Sequence, residues 1–297
     1  MKPRKRRRFS LSFLQNELIR LHIRCDAPTM IRKQNGVIVA RVSDGDESCI
    51  LKLFERPEFC REIDAYRLLA SLGIPTIRVL AYTDCSLLLE DLSTSPRWRL
   101  AEADDMADCE IAERLAEWYA CLHSRGRAYV RAHTDGLYDE TDTLTRENLA
   151  LARDKTDTQA LPIWATLERQ LDDLRARLDR AERTLTYNDF FYTNMTVARD
   201  RSAARMFDYN LLGKGLASSD LSNVTASLSR EAGEAFLRAY DQPIDPAEQA
   251  LNDVVSVLVG LIFACQRERF PDWGAACLAE LEHGLDEKIA RLCDCTE

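Results

Sequence analysis

Residues 185–221 read LTYNDFFYTNMTVARDRSAARMFDYNLLGKGLASSDL. Two short segments rich in apolar residues, Met195 to Arg199 and Arg205 to Asp208, flank the polar run Asp200 to Ala203, which is the pattern of a β-hairpin. Thr184 to Tyr187 is a further short extended segment just upstream. In an antiparallel hairpin the start of one strand faces the end of the other. Asn194, at the mouth of the first strand, is therefore expected within a few ångströms of Asp208, at the end of the second, with Asp189 on the adjoining loop. Two carboxylates and an amide oxygen then gather at one edge of a small β island. Magnesium prefers hard oxygen ligands, few from the protein and the rest from phosphate and water, so Asn194 and Asp208 suit a magnesium site. Asp189 suits the group that orients an incoming hydroxyl. Together these are the requirements of phosphoryl transfer. Taken singly, an Asp before a hairpin is a cap or turn residue, and Asp220 reads as the N-cap of a helix beginning at Leu221. It is the joint spacing that argues for chemistry.

That spacing resembles the catalytic and metal-binding loops of the aminoglycoside phosphotransferase and choline kinase-like family of small-molecule kinases. The family carries a His-Gly-Asp-x4-Asn loop and then an Ile-Asp-Trp-Glu segment, with a Gly seven residues and an Asp-Leu twelve residues after that Asp. Here Asp189 is followed by Asn194, Phe207-Asp208-Tyr209 comes next, and Gly215 and Asp220-Leu221 stand at the corresponding places. The resemblance implies an α+β, bilobal protein kinase-like fold, with a small β-rich N-lobe and a larger, mostly α-helical C-lobe. It also implies ATP and Mg2+ as cofactors and a small-molecule hydroxyl as acceptor. Within the family the equivalent of Asp220 resembles a loop-bracing residue more than a catalytic one. Two departures stand out: Tyr187-Asn188 replaces the family's His-Gly, and Asn210 stands where an acidic residue is common. They raise a second reading, a catalytically idle nucleotide-binding scaffold. A protein kinase fits poorly, because the chain has no Asp-Phe-Gly or Ala-Pro-Glu segment.

The first third of the chain reads as strands. Val37 to Val42 alternates, Asp44-Gly45-Asp46-Glu47 is a turn cluster, and Cys49 to Phe54 completes a hairpin. Phe59 to Leu72 has helical spacing and ends at Gly73 and Pro75; Ile77 to Tyr82 and Ser86 to Leu89 are two more short strands. A kinase-like fold needs a strand lysine for the α/β-phosphates and a helix glutamate to hold it. Lys52 in ILKLF, with Glu62 ten residues on, fills those places. The segment LLLEDL, Leu87 to Leu92, resembles the family's hinge, where backbone groups of Glu90 and Leu92 would hydrogen-bond adenine. The phosphate loop is the weakest match: only Gly36 occurs in Arg32-Lys33-Gln34-Asn35-Gly36.

After Leu92 the pattern turns helical. Ile111, Leu115, Tyr119 and Leu122 mark a helix expected to stop near Gly126, with His123 as a polar residue at its end. Leu167, Leu171, Leu174 and Leu178 mark another helix, and Val254 to Cys265 a buried one. The expected division is an N-terminal lobe over residues 1–92, holding the sheet and hinge, and a helical lobe over 93–297, holding the catalytic and metal loops and the acceptor site. Trp118, Trp164 and Trp273 are expected in the core. For the acceptor, Asp253, Glu268, Asp272 and Glu280 suggest an acidic pocket for a cationic substrate, and Phe263, Phe270 and Trp273 an aromatic patch for a quaternary ammonium.

Bulk properties narrow the class further. A formal net charge of −9 argues against nucleic acid as a partner. The ten cysteines are scattered through periodic segments, which reads as reduced thiols in a cytoplasmic protein. No apolar run approaches the ~18 residues that span a bilayer. The start, MKPRKRRRF, lacks the apolar core of a secretory signal. Its basic cluster from Lys2 to Arg8 reads as a solvated tail or a contact for an anionic surface.

Overall fold

The computed structural model describes residues 10–25, 27–45, 47–133 and 136–295; the basic cluster Lys2 to Arg8 and Asp46 in the turn lie outside the described residues. By its contacts the chain divides into two compact units. The first comprises Met1–Arg125, Asp189–Leu212 and Val224–Asp241, and the second Gly126–Asn188, Gly213–Asn223 and Gln242–Glu297.

The first unit begins with helix α1, Leu11–Arg20, whose N-cap Ser10 accepts from the Phe13 amide. Five antiparallel strands follow: β1 Thr29–Gln34, β2 Val37–Asp44, β3 Glu47–Phe54, β4 Val79–Tyr82 and β5 Ser86–Glu90. They lie in the order β1-β2-β3-β5-β4. The sequence reading found β2, β3 and the last two strands, but it did not find α1. Between β1 and β2 the chain turns on Asn35 and Gly36, both with positive φ (53° and 83°), and Gln34 pairs with Val37. This is the two-residue Asn-Gly turn whose twist matches the strands it joins. The segment considered for phosphate binding is thus a tight hairpin corner.

Alternation along β3 then sorts the sheet's two faces. Cys49, Leu51 and Leu53 pack with Leu14, Leu18 and Leu21 of α1 in one apolar cluster. Lys52 therefore points to the opposite face. It sits mid-strand, paired with Val39 of β2 and Leu87 of β5, so it is central and not at a sheet edge. Helix α2, Arg61–Ser71, runs on after a 3-10 turn at Pro57–Cys60 and buries Glu62, Ile63, Tyr66 and Leu69.

A three-stranded sheet completes this unit: β6 Trp98–Leu100, β8 Met195–Ala198 and β9 Ala204–Met206, in the order β6-β8-β9. The expected hairpin is β8-β9, with Met195 opposite Met206. Helix α3, Cys109–Ala132, buries Ile111, Leu115, Tyr119 and Leu122 as expected. It does not stop near Gly126. That glycine serves a close approach: a Cβ there would sit 2.6 Å from the Leu185 backbone nitrogen. His123 accordingly lies inside the helix, fully buried, with Nδ1 2.7 Å from the Tyr240 hydroxyl. Helix α7, Arg230–Ala239, also belongs here.

The second unit holds α4 Arg146–Lys155 and α5 Ile163–Arg180, then β7 Thr184–Thr186 paired with β10 Gly213–Gly215, and α6 Ala217–Thr225. The long α8, Pro246–Gln266, and the shorter α9, Gly274–His283, and α10, Leu285–Asp294, follow. The Leu167, Leu171, Leu174 and Leu178 stripe of α5 and the apolar body of α8 share one core. Among the described residues α8 is the one helix long and apolar enough to cross a membrane. The expectation that no segment comes near that length is corrected to this extent, although 67% of its most apolar stretch is buried in the core. Trp118 and Trp164 are buried as expected, whereas Trp273 is 49% exposed at the start of α9. None of the ten cysteines is joined in a disulfide.

Candidate active site

All seven expected residues, Lys52, Glu62, Glu90, Leu92, Asp189, Asn194 and Asp208, belong to the first unit. Lys52 reaches from β3 to two carboxylates: its Nζ lies 2.6 Å from Glu62 Oε2 and 2.7 Å from Asp208 Oδ1. Glu62 is 1% exposed and the Lys52 side chain 10%, while Asp208 is a third exposed. The cluster is thus closed at the glutamate and open at the aspartate. Burial alone would pull the Lys52 ammonium down, but the charges of Glu62 and Asp208 outweigh it and its pKa is raised. Burial, with the like charge of Asp208, pushes Glu62 up to about 7 against the pull of Lys52 and a hydrogen bond from the Tyr209 backbone.

Asp208 itself has φ of 63°, the left-handed region that L-residues other than Asn and Asp rarely enter. A non-glycine residue held there at the end of a strand is a common mark of a working site. Its neighbour Phe207 donates its amide to the Asn194 carbonyl at 2.9 Å, which ties the two ends of the β8-β9 hairpin together. Asn194 closes a one-turn 3-10 segment, Tyr192–Asn194, and directs Nδ2 at Asp189, 3.3 Å from its carbonyl and 3.4 Å from Oδ2. The amide oxygen of Asn194 is then the atom left for a cation.

The loop before Asp189 is held from beneath. Asp220 accepts the Tyr187 amide on Oδ2 at 2.8 Å and the Asn188 amide on Oδ1 at 3.0 Å. It is 1% exposed and lies in the first turn of α6, which starts at Ala217, so it is a loop brace and not the cap of a helix beginning at Leu221. Asn188 has φ of 64°. The departure from the family's glycine therefore falls on a residue type that tolerates left-handed backbone. Tyr187 is fully buried.

At the hinge, the Glu90 amide donates to the Arg78 carbonyl at 3.0 Å, and its carboxylate accepts the Arg78 amide at 2.7 Å. The Leu92 carbonyl accepts from Ser95. Between them, Asp91 was missed by the sequence reading. Its carboxylate takes the Arg41 Nε and the Ser48 hydroxyl, each at 2.6 Å, and both the amide and hydroxyl of Ser93. Burial opposes ionisation, but these donors prevail and hold Asp91 down at about 2. The cue was an Asp with a Ser two residues on, a frequent turn pair. Also missed were Phe191 and Tyr192, 60% and 38% exposed beside Asp189.

The residues considered for the acceptor, Asp253, Glu268, Asp272, Glu280, Phe263, Phe270 and Trp273, belong to the second unit. Phe263 packs against the second unit's core, and Phe270 and Trp273 are partly exposed. Among the described residues no group of three or more His, Cys, Asp or Glu could hold a metal by itself.

Residues 36–251 match the phosphotransferase enzyme family. The chain belongs to that family. Among solved structures, a macrolide 2'-phosphotransferase from Brachybacterium faecium is 17% identical with a TM-score of 0.61, covering 92% of this chain and 98% of its own. Choline kinase LicA from Streptococcus pneumoniae is 14% identical with a TM-score of 0.60, over 96% and 99%. The streptomycin–ATP complex of APH(2")-IIa is 16% identical with a TM-score of 0.63, over 92% and 96%. No curated protein sequence matches the chain. At these identities the likeness establishes the fold: α+β and protein kinase-like, with an antiparallel sheet in the N-terminal part and helices in the C-terminal part.

Proposed function

We propose that this phosphotransferase moves the γ-phosphate of ATP, with Mg2+, to the hydroxyl of a small molecule such as an aminoglycoside, choline or another amino-alcohol or sugar. The observation that carries the reading is the convergence of Lys52, Glu62 and Asp208, with Asn194 and Asp189 at the same open end of the hairpin. Glu62 and Asp208 hold the Lys52 ammonium extended, so it meets the α/β-phosphates without first losing rotamer freedom. The Glu90 carbonyl and the Leu92 amide receive the adenine edge. A carboxylate and an amide oxygen, Asp208 and Asn194, are the hard-oxygen donors that magnesium takes when phosphates supply most of its shell. When bound, the ion neutralises the phosphate oxygens as the bond to the leaving group breaks.

Asp189 orients the acceptor hydroxyl and accepts its proton late, which asks for position more than for strong basicity. Its side chain is set by Asn194, and its loop by Asp220. Phe191 and Tyr192 offer an aromatic surface beside it, suited to a sugar face or a quaternary ammonium. We place the protein in the cytoplasm, in line with ten cysteines that form no disulfide.

An ATP-consumption screen over amino-alcohols, sugars and aminoglycosides tests the proposal, with Asp189→Ala as its control. Wild type should turn over with at least one acceptor class. The variant should bind Mg-ATP alike and lose about 10²–10⁴-fold in turnover. Equal behaviour of the two proteins with every acceptor would favour the idle scaffold that Tyr187-Asn188 first raised.

A further inference from the structure

We infer that the first unit carries a second ligand site, which takes a small organic anion with a flat apolar body. The site is a cavity of about 900 Å³. Tyr66 and Arg67 of α2, strand β4 with its lead-in from Thr76, the Pro96–Trp98 segment and Arg205 of β9 form its walls. None of Lys52, Glu62, Asp189, Asn194 or Asp208 lines it. Glu90 lines it too, and its carboxylate accepts the Arg78 amide.

Arginines dominate the polar part of the wall. The Arg205 guanidinium lies 4.3 Å from the centre of the buried Trp98 ring, and that of Arg97 lies 5.1 Å from the same ring. Arg205 donates Nη1 to the Thr76 carbonyl at 3.1 Å, and its Nε is buried without a hydrogen-bond partner. Arg78, Arg97 and Arg205 make no ion pair within 4 Å among the described residues, and the nearest carboxylates, Glu90 to Arg205 and Asp200 to Arg97, act only at longer range. Arg99 and Arg183, by contrast, are paired with Asp105 and Asp139. Two guanidiniums on one indole repel each other, and an anion in the cavity offsets that repulsion and accepts from the guanidinium hydrogens that reach it.

The remaining wall is apolar or aromatic, from Ile77, Val79, Leu80 and Tyr82 besides Trp98. It would leave a bare inorganic ion poorly covered, and it suits a planar hydrocarbon body between the tryptophan and the strand. The same walls include the helix that bears Glu62 and the strand that runs into Asp208, but neither of those side chains lines the cavity.

The test is titration calorimetry of the full chain with 1-naphthoate and with its neutral counterpart 1-acetylnaphthalene, in the presence and absence of saturating Mg-ATP. Naphthoate should bind saturably and the ketone far more weakly, and Mg-ATP should leave the naphthoate affinity in place. The double variant Arg78→Ala/Arg97→Ala removes two exposed side chains and should keep the fold while weakening naphthoate at least about tenfold, the loss of one charge-assisted contact. Arg205→Met, checked for folding by its melting temperature, should weaken it further. Equal affinity for the two probes, indifference to the double variant, displacement by Mg-ATP, or no saturable binding into the millimolar range would each overturn the inference. Because the readout is binding and not turnover, this site can fail while the phosphotransfer reading stands, and the reverse.

Discussion

Two aspartates twelve residues apart, Asp208 and Asp220, do opposite things with the same carboxylate. Asp208 offers its side chain to a cation, Lys52, and remains a third exposed. Asp220 is buried and spends both oxygens on backbone amides, those of Tyr187 and Asn188. The first arrangement keeps charge available to a ligand; the second uses charge to fix a loop so that other side chains can be available. The two should therefore respond differently when broken. The largest response belongs to the lysine. Lys52→Met leaves two carboxylates facing each other, one of them buried, at a cost of about 3–5 kcal/mol. The unpaired Glu62 relieves this by taking up a proton. Its folded-state pKa, already raised to about 7 from 4.5, rises further without the lysine. The folded variant then binds protons that the unfolded chain does not, so its stability falls as pH climbs from about 4.5 through the folded value. Urea unfolding on either side of neutrality checks the sign, and adding Glu62→Gln should recover most of the loss.

Breaking the brace should cost less and should do so without touching the nucleotide. Asp220→Ala strips two amides of a charged acceptor, worth about 2–3 kcal/mol in unfolding free energy. Mg-ATP affinity, read by fluorescence titration at a temperature where the variant is folded, should stay within about twofold, a shift of a few tenths of a kcal/mol. A large loss of affinity would mean that the two aspartates are not separable in the way their contacts suggest.

The hinge offers a third case, in which a carboxylate ties one strand pair to the segment after it. Asp91 is held at about 2, below its ordinary 3.8, by donors from Arg41, Ser48 and Ser93. Its folded pKa is depressed, so its contribution is present above the unfolded value and is lost as pH falls between about 4 and about 2. Asp91→Asn should lower stability by about 2 kcal/mol near neutrality. The gap to wild type should close in that acid window, which paired denaturation curves measured down the pH scale would reveal.

How much of this could be read from the chain alone depended on the range of the forces involved. The β8-β9 hairpin, the Lys52 strand, the α5 stripe and the order Asp189, Asn194, Asp208 rest on local periodicity and spacing, and all were legible. The Asp189–Asn194 contact follows from the same local geometry. Helix α1 was not legible, because its ten residues matter only for the sheet face they cover, a contact with strands far along the chain. The Asp91 clamp escaped for the same reason: Arg41 and Ser48 lie fifty and forty-three residues away. Gly126 read as a stop because glycine usually is one, whereas here the missing side chain makes room for the Leu185 backbone inside a continuing helix.

The smallest effect tests the departure that first suggested an idle protein. Asn188 sits at φ 64°, where glycine is unstrained, asparagine is tolerated and alanine is not. If conformation is all that this position demands, Asn188→Gly should change stability by no more than about 0.5 kcal/mol, and Asn188→Ala should cost about 1 kcal/mol. Turnover in the glycine variant should match wild type with whichever acceptor the screen identifies. The alanine variant should lose stability without a matching change in the KM for ATP, since the Asp220 bond to this residue runs through the backbone amide, which every residue but proline keeps. A glycine variant markedly faster than wild type would show instead that asparagine restrains the loop. Sequence departures at such positions would then report on catalysis and not only on backbone geometry.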